Sequence, residues 1–489
     1  MKAKPHIVLI VMDTARARNF SCYGYGKNTS PHTDRIAEKG VLYANAISAS
    51  PWTLPSHVSL FTGLYPAEHG LTEDKILDGK NIYGLSKEHA FPDFLPVLLK
   101  NEGYKTLGFS NNPWISRNFG FQKGFDFFYE AWEIGKSYSL AKKIGRKIRK
   151  MAPQRFQPVF DNLRTRLSSW DSGADQTLAV MKEWFHKNHT EDRPYFMFFN
   201  FIEPHLPYIP PKPYNRIFMD KEYSSYRVRK TNQDPFKFIA KKAKMGEDDF
   251  SILRSLYDGE IAYLDTKVKE ICDYLAGLDM LDRALLIITS DHGENIGEHD
   301  FMGHQFCLYD TLLRVPLVIR HPEFFTKGRV EYKPIQLSDV FFTILDVLNL
   351  RIEGRDIRKY SFLNPSYARQ IIAEHESPKI TLSCLARRFP RLRMKSLGQK
   401  LRCIYAGGMK YIWKSQGQDE LYDIRKDPQE NNDLIQKNAG LALECSTMLN
   451  ERWASMEGDI QNKTGNFEKF GKERVNSEVE EKLRELGYI

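Results

Sequence analysis

Unbroken apolar runs recur along the chain, and each is only a few residues long. Ile7–Met12, Thr106–Phe109, Tyr195–Phe201, Ala284–Thr289 and Leu317–Ile319 are the clearest. None approaches the length needed to span a bilayer. They are continuous rather than alternating, which is the pattern of strands covered on both faces. Between them the apolar positions take helical spacing. Helices are predicted over Phe91 to Glu102, with Pro92 in the first turn and Gly103 as the stop, and over Gly173 to Lys187. Further helices are predicted from Tyr257 to about Leu278 and from Gln336 onward. Strands alternating with helices predict an α/β fold, a large mainly parallel sheet flanked by helices. After about residue 365 the pattern changes. Arg402 to Tyr405 and Lys410 to Lys414 read as antiparallel strands of a smaller C-terminal α+β subdomain. The expected division is 1–365 and 366–489, with insertions at about 133–170 and 210–250.

Polar residues with chemical potential stand where these runs end. Asp13 follows the first run, and Asp291 and His292 follow the run at 284–289. Open α/β sheets place ligands at the carboxyl ends of their strands. Two carboxylates and one imidazole suit a divalent cation. Elsewhere Pro51 and Pro55 bracket Thr53, and Val58 to Phe61 reads as a short apolar helix. Thr53 is therefore expected on a constrained turn just before a helix, where outward N–H groups suit an anionic ester. The plainer reading is a helix N-terminus with Ser/Thr caps.

The stretch Ser50-Pro51-Trp52-Thr53-Leu54-Pro55-Ser56-His57, continuing to Thr62-Gly63, resembles the nucleophile signature of the sulfatases, a branch of the alkaline phosphatase superfamily. That signature is Cys or Ser, any residue, Pro, Ser, Arg, then an apolar stretch and Thr-Gly. Ser290-Asp291-His292-Gly293-Glu294, Pro204-His205 and the Tyr23-Gly24 turn are similar to further family motifs, and Glu420 to Ile424 resembles the family's C-terminal subdomain. The resemblance implies one divalent metal ion (Ca, Mg, Mn or Zn) on Asp13, Thr53, Asp291 and His292. It implies Thr53 as nucleophile and His205 as general acid. His304, 12 positions past His292, falls where many relatives place a Lys, and would hold a nonbridging oxygen. His57 would do similar work in place of the family's Arg. Arg16, Lys123 and Asn112 are candidate secondary contacts.

The departures shape the expected chemistry. Many sulfatases have Asp-Asp where this chain has Asp13-Thr14, and Asn where it has His292. Threonine cannot be oxidised to the formylglycine aldehyde that family sulfatases use. The chemistry therefore tilts toward phosphoryl or phosphonyl groups, while the resemblance as a whole tilts toward sulfate esters. A metal-dependent hydrolase of a sulfate or phosphate ester is expected. A phosphoryl or phosphonyl transferase or phosphodiesterase is the alternative, and a non-catalytic binder of anionic ligands the third reading.

Composition adds little to this. The 489 residues carry a net charge of +9, which fits anionic substrates, acidic surfaces or nucleic acid without selecting among them. No nucleic-acid motif is present, so no nucleic-acid partner is expected. Ser137 to Met151 holds six Lys or Arg with apolar residues at helical spacing. This reads as a surface helix, with peripheral contact to an anionic surface as the sharper alternative. Six scattered cysteines and no recognisable export signal lead to the expectation of reduced thiols in a cytoplasm.

Overall fold

The computed structural model describes residues 4–78, 81–85, 93–132, 172–326, 328–463 and 472–485. The predicted helix at 137–151 lies outside the described residues.

An eight-stranded sheet runs through the large part of the molecule. Its spatial order is Arg329–Glu331, Val41–Tyr43, Leu317–Arg320, Ala284–Thr289, His6–Met12, Tyr195–Phe201, Lys105–Ser110 and Phe127–Glu130. Most neighbours are parallel, but Leu317–Arg320 runs antiparallel to both of its partners. The central strand shows why its apolar run is unbroken. Ile7, Leu9 and Val11 pack into one core, while Val8, Ile10 and Met12 pack into another across the sheet. Each fully buried side chain of this size contributes about 1.5–3 kcal/mol.

Several boundaries differ from the sequence expectation. The helix expected from Phe91 spans Leu95–Asn101 with Pro96 in its first turn. The helix expected from Tyr257 starts ten residues earlier and covers Glu247–Ala276. Its first turn holds Glu247, Asp248 and Asp249, which complement the positive helix end. The region expected as an extended excursion contains two short helices, Ser225–Lys230 and Pro235–Ile239.

A four-stranded antiparallel sheet follows, ordered Ile371–His375, Leu401–Ala406, Met409–Lys414, Glu420–Asp423. One face packs on Ile47, Leu308, Leu312 and Leu313, and the other on the helix Ala439–Lys463 through Cys445, Leu449 and Trp453. A buried ion cluster joins the small sheet to the helix Asp310–Leu313. Lys410 Nζ lies 2.8 Å from Asp310 Oδ1 and 2.6 Å from Glu430 Oε1. Tyr405 OH donates to Asp310 at 2.6 Å. Burial opposes the lysine charge, but the two carboxylates outweigh it and hold its pKa above the ordinary value. Lys410→Met would leave both carboxylates buried without their cation. It is expected to cost about 3–5 kcal/mol of stability. Urea unfolding at neutral pH checks this, and no measurable loss would contradict it.

Glu374 docks the same sheet onto the helical side. It accepts the Ala67 N–H at 2.7 Å, and its own N–H donates to Ala49 O at 3.0 Å. Burial pushes its carboxyl up to about 8, outweighing the bond from Ala67. The folded protein thus keeps a proton that the unfolded chain releases near 4.5. This contribution to stability is complete below that value and is lost as pH rises toward 8. The melting temperature is expected to fall between pH 5 and 8 in wild type and to fall less in Glu374→Gln. Equal slopes in the two proteins would contradict the assignment.

Candidate active site

The first strand ends at Asp13, whose N–H donates to Phe201 O at 2.9 Å. Thr14 then takes a left-handed backbone, φ +58°, unusual for a β-branched residue. That turn aims its N–H at Asp291 Oδ1, 3.2 Å away. The strand Ala284–Thr289 delivers Asp291 and His292 beside it. The His292 N–H also donates to Asp291 Oδ1, at 2.9 Å. Gly293 lets the loop close. A Cβ there would sit 2.1 Å from the Thr311 carbonyl oxygen. Asn112, anticipated as a secondary contact, donates its amide to Asp13 Oδ2.

These bonds occupy one oxygen of each carboxylate and leave the other aimed inward. Asp13 Oδ1 and Asp291 Oδ2 are buried without a hydrogen-bond partner. His292 donates its Nδ1–H to Gly293 O at 2.9 Å, so Nε2 carries the lone pair. Nε2 lies 3.8 Å from Asp13 Oδ1 and 3.4 Å from Asp291 Oδ2. One ligand atom from each of the three residues falls within 4.8 Å of the others. Burial pushes the His292 ring down to about 3, so it stays neutral. It raises both carboxyl groups, and Asp291 raises Asp13 further by its charge. Two crowded carboxylates with unpartnered oxygens and an imidazole lone pair fit a divalent cation.

Thr53 faces this cluster. It is the first residue of the helix Thr53–Thr62 rather than part of a turn before it, and extended Trp52 is the N-cap. No side-chain cap is made, so the capping reading of Thr53 does not hold. Its hydroxyl instead lies 3.1 Å from His292 Nε2. Ser56, one turn on, fixes the helix by donating to Asp291 O at 2.7 Å.

His57 sits on the protein side of Thr53. Its Nδ1–H donates to Thr53 O at 2.9 Å and lies 3.4 Å from Asp291 Oδ2, while Nε2 accepts from the Asn200 amide at 3.2 Å. Burial lowers its pKa. With both nitrogens engaged and the ring neutral, His57 is placed to hold Thr53. The expectation that it replaces a cationic Arg on an ester oxygen does not match this geometry.

His205 and His304 stand on the other side of His292. The His304 ring is 4.6 Å from the His292 ring and 5.1 Å from the His205 ring, centroid to centroid. His304 Nδ1 is 3.1 Å from Glu294 Oε1, and His205 Nδ1 donates to Leu206 O at 2.5 Å. Burial pushes His205 down to about 4 and His304 to about 3. The structure thus brings Asp13, Thr53, His57, Asp291 and His292 together, with His304 and His205 next to His292. Arg16 lies behind the site, bonded to Glu294 O and Glu298. Among the described residues nothing brings Lys123 to it.

His375 is the residue that sequence reasoning missed. It ends a strand of the small sheet and is buried; burial and then nearby His292 lower its pKa, and it in turn lowers that of His304. With Glu374, Glu376, Ser50, Trp52 and Pro55 it lines a cleft beside the helix Thr53–Thr62. The polar run Glu374-His375-Glu376 closing an apolar strand was the available signal.

A family model described as Sulfatase matches residues 5–350. The chain belongs to the sulfatase family. It is a sulfatase-type hydrolase of sulfuric or phosphoric esters. The ulvan-active sulfatase of Formosa agariphila is 23% identical over 487 residues, covering 96% of this chain and 84% of that relative. The arylsulfatase of Clostridium perfringens is 24% identical, covering 88% and 90%. The crystal structure of the phosphonate monoester hydrolase of Agrobacterium radiobacter shares the fold, with a TM-score of 0.67, 22% identity, and coverage of 94% and 96%.

Proposed function

We propose that this sulfatase-family chain hydrolyses a phosphate, phosphonate or sulfate ester with Thr53 as an unmodified nucleophile. The observation that carries the reading is the Thr53 hydroxyl 3.1 Å from a neutral His292 Nε2, facing the two unpartnered carboxylate oxygens. Asp13, Asp291, His292 and Thr53 would hold a divalent cation, which would supply positive charge to lower the pKa of the hydroxyl and steady the ester oxygens. His57 and Ser56 fix the helix that presents Thr53. The Thr53 hydroxyl loses its proton to solvent, its oxygen attacks the central phosphorus or sulfur, and a new O–P or O–S bond forms as the bond to the leaving oxygen breaks. His205 gives that oxygen a proton, and His304 steadies a nonbridging oxygen. Water then attacks the same atom and gives a proton to the now neutral His205, and the bond to the Thr53 oxygen breaks, freeing the phosphate or sulfate and restoring the hydroxyl. The family relatives support sulfate esters as substrates. The threonine hydroxyl favours phosphoryl groups, because in-line displacement at phosphorus needs no aldehyde. The six cysteines, all free, accord with a cytoplasmic setting, which belongs to this proposal.

Treatment with a chelator is expected to abolish turnover of both an aryl phosphate and an aryl sulfate, and added divalent metal to restore it. Full activity without metal would contradict the reading. Buried His205 rests near 4, so the charge of the bound ester must raise it before it can donate. His205→Gln is therefore expected to slow an alkyl ester by about 10²–10⁴-fold and a nitrophenyl ester much less. Equal losses on the two esters would remove the acid role.

A further inference from the structure

Two segments among the described residues carry a large positive excess. Residues 207–246 hold ten Lys or Arg against three carboxylates, and residues 379–400 hold seven against none. The combined excess exceeds the net charge of +9 for the whole chain, so the remainder is acidic. The structure joins the two segments. Arg388 pairs with Asp234 and stacks over Phe236, its guanidinium carbon 5.4 Å from the ring centre. Phe236, Phe238 and Ile239 share one core with Leu382, Phe389 and Leu392. Some basic residues here are neutralised, as in Lys221–Asp248, Arg227–Asp249 and Lys400–Glu376. Lys237, Lys242, Lys244, Arg387, Arg391 and Arg393 are exposed. None of these six has a carboxylate partner among the described residues.

This surface adjoins the leaving-group side of the site. Residue 207 is two positions past His205, and residue 379 four past His375. Pro235 packs beside Gly303, the neighbour of His304. The first segment also carries Ile209, Ile217 and Tyr226, which are 53%, 52% and 65% exposed. They are three of the seven large apolar side chains most exposed among the described residues. Tyr226 stands under Lys230. A soluble polyanion would use the charge alone. A bilayer with anionic headgroups uses the charge and also takes up protruding apolar side chains.

We propose that this basic face docks the enzyme on an anionic lipid surface, with the leaving-group side of the site turned toward the bilayer. No described helix is long and apolar enough to cross a membrane, and the proposed contact is peripheral. Docking does not depend on whether Thr53 is the nucleophile, but the naming of the leaving-group side rests on the proposed acid role of His205.

The test uses the full chain and co-sedimentation with vesicles of phosphatidylcholine, alone or with phosphatidylglycerol added. Binding is expected only to the anionic vesicles and is expected to weaken with salt. Replacing Lys237, Lys242, Arg391 and Arg393 together by Gln is expected to weaken it about 100-fold or more. Turnover of a small soluble ester should stay within about twofold of wild type, which also shows that the variant is folded. Ile209→Ser with Ile217→Ser and Tyr226→Ser should weaken vesicle binding while leaving salt sensitivity in place. No binding to anionic vesicles would overturn the proposal. So would binding that survives the fourfold change, which would move the contact elsewhere. Binding of soluble dextran sulfate but not vesicles would make the face a polyanion site instead.

Discussion

Thr53→Val is expected to reduce kcat/KM by about 10⁴-fold or more while leaving the melting temperature close to wild type. Valine keeps the shape of the side chain and removes only the oxygen that faces His292 Nε2 at 3.1 Å. A capping threonine would behave differently. Its loss costs about 1 kcal/mol of stability and little activity. Thr53 makes no such cap, because Trp52 occupies that position. Thr53→Ser restores the oxygen with a freer χ1 and is expected to recover much of the rate. Steady-state kinetics and thermal melts on the two variants separate the readings. A Val variant with near-wild-type turnover would remove Thr53 from the mechanism.

Asp291→Asn is the second large effect, and its signs on activity and stability are opposed. Bound metal is expected to fall from one ion per chain to near zero, and activity by about 10³-fold or more. The fold should persist, because an amide oxygen can still accept from Thr14 and His292 as Oδ1 does now. Without metal, Asp13 and Asp291 crowd each other in a buried space, and both carboxyl groups are raised above their ordinary range. The folded, metal-free protein therefore favours their protonated forms. Their contribution is present at low pH and is lost as pH rises. Asp291→Asn removes part of that repulsion, so at neutral pH the metal-free variant should melt higher than metal-free wild type. Elemental analysis and melts with chelator check both halves. A variant that keeps its metal and activity would remove Asp291 from the ligand set.

Much of this site was legible because strands buried on both faces announce themselves as short unbroken apolar runs. Asp13, Asp291 and His292 stand directly after such runs, and the sheet brings the two strand ends side by side. Thr53 was legible from its motif, but its placement was not. Pro55 falls in the first turn of the helix rather than before it, where a missing N–H costs nothing. The early start of the helix at Glu247 was missed although Phe250, Leu253 and Leu256 already stand at helical spacing; only the acidic turn Glu247 to Asp249 lacks apolar residues. His375 was invisible because nothing local ties a strand of the small sheet to the active site. The docking of that sheet, through its packing on Ile47, Leu312 and Leu313 and the contacts of Lys410 and Glu374, brings it there. The role of His57 also depended on tertiary contacts, since Asn200 comes from a different strand. Charge concentration on 207–246 and 379–400 could be counted in the sequence, but their adjacency required the Arg388–Asp234 contact.

The most direct test of the central claim is acid trapping of the enzyme during turnover of a slow aryl phosphate or aryl sulfate, followed by mass spectrometry of the peptide that contains residue 53. Before substrate, that peptide should carry unmodified threonine. During turnover it should carry one phosphoryl or sulfuryl group on Thr53, absent from Thr53→Val and from enzyme stripped of metal. A turning-over enzyme whose Thr53 peptide never gains the group, or gains it on another residue, would contradict the account.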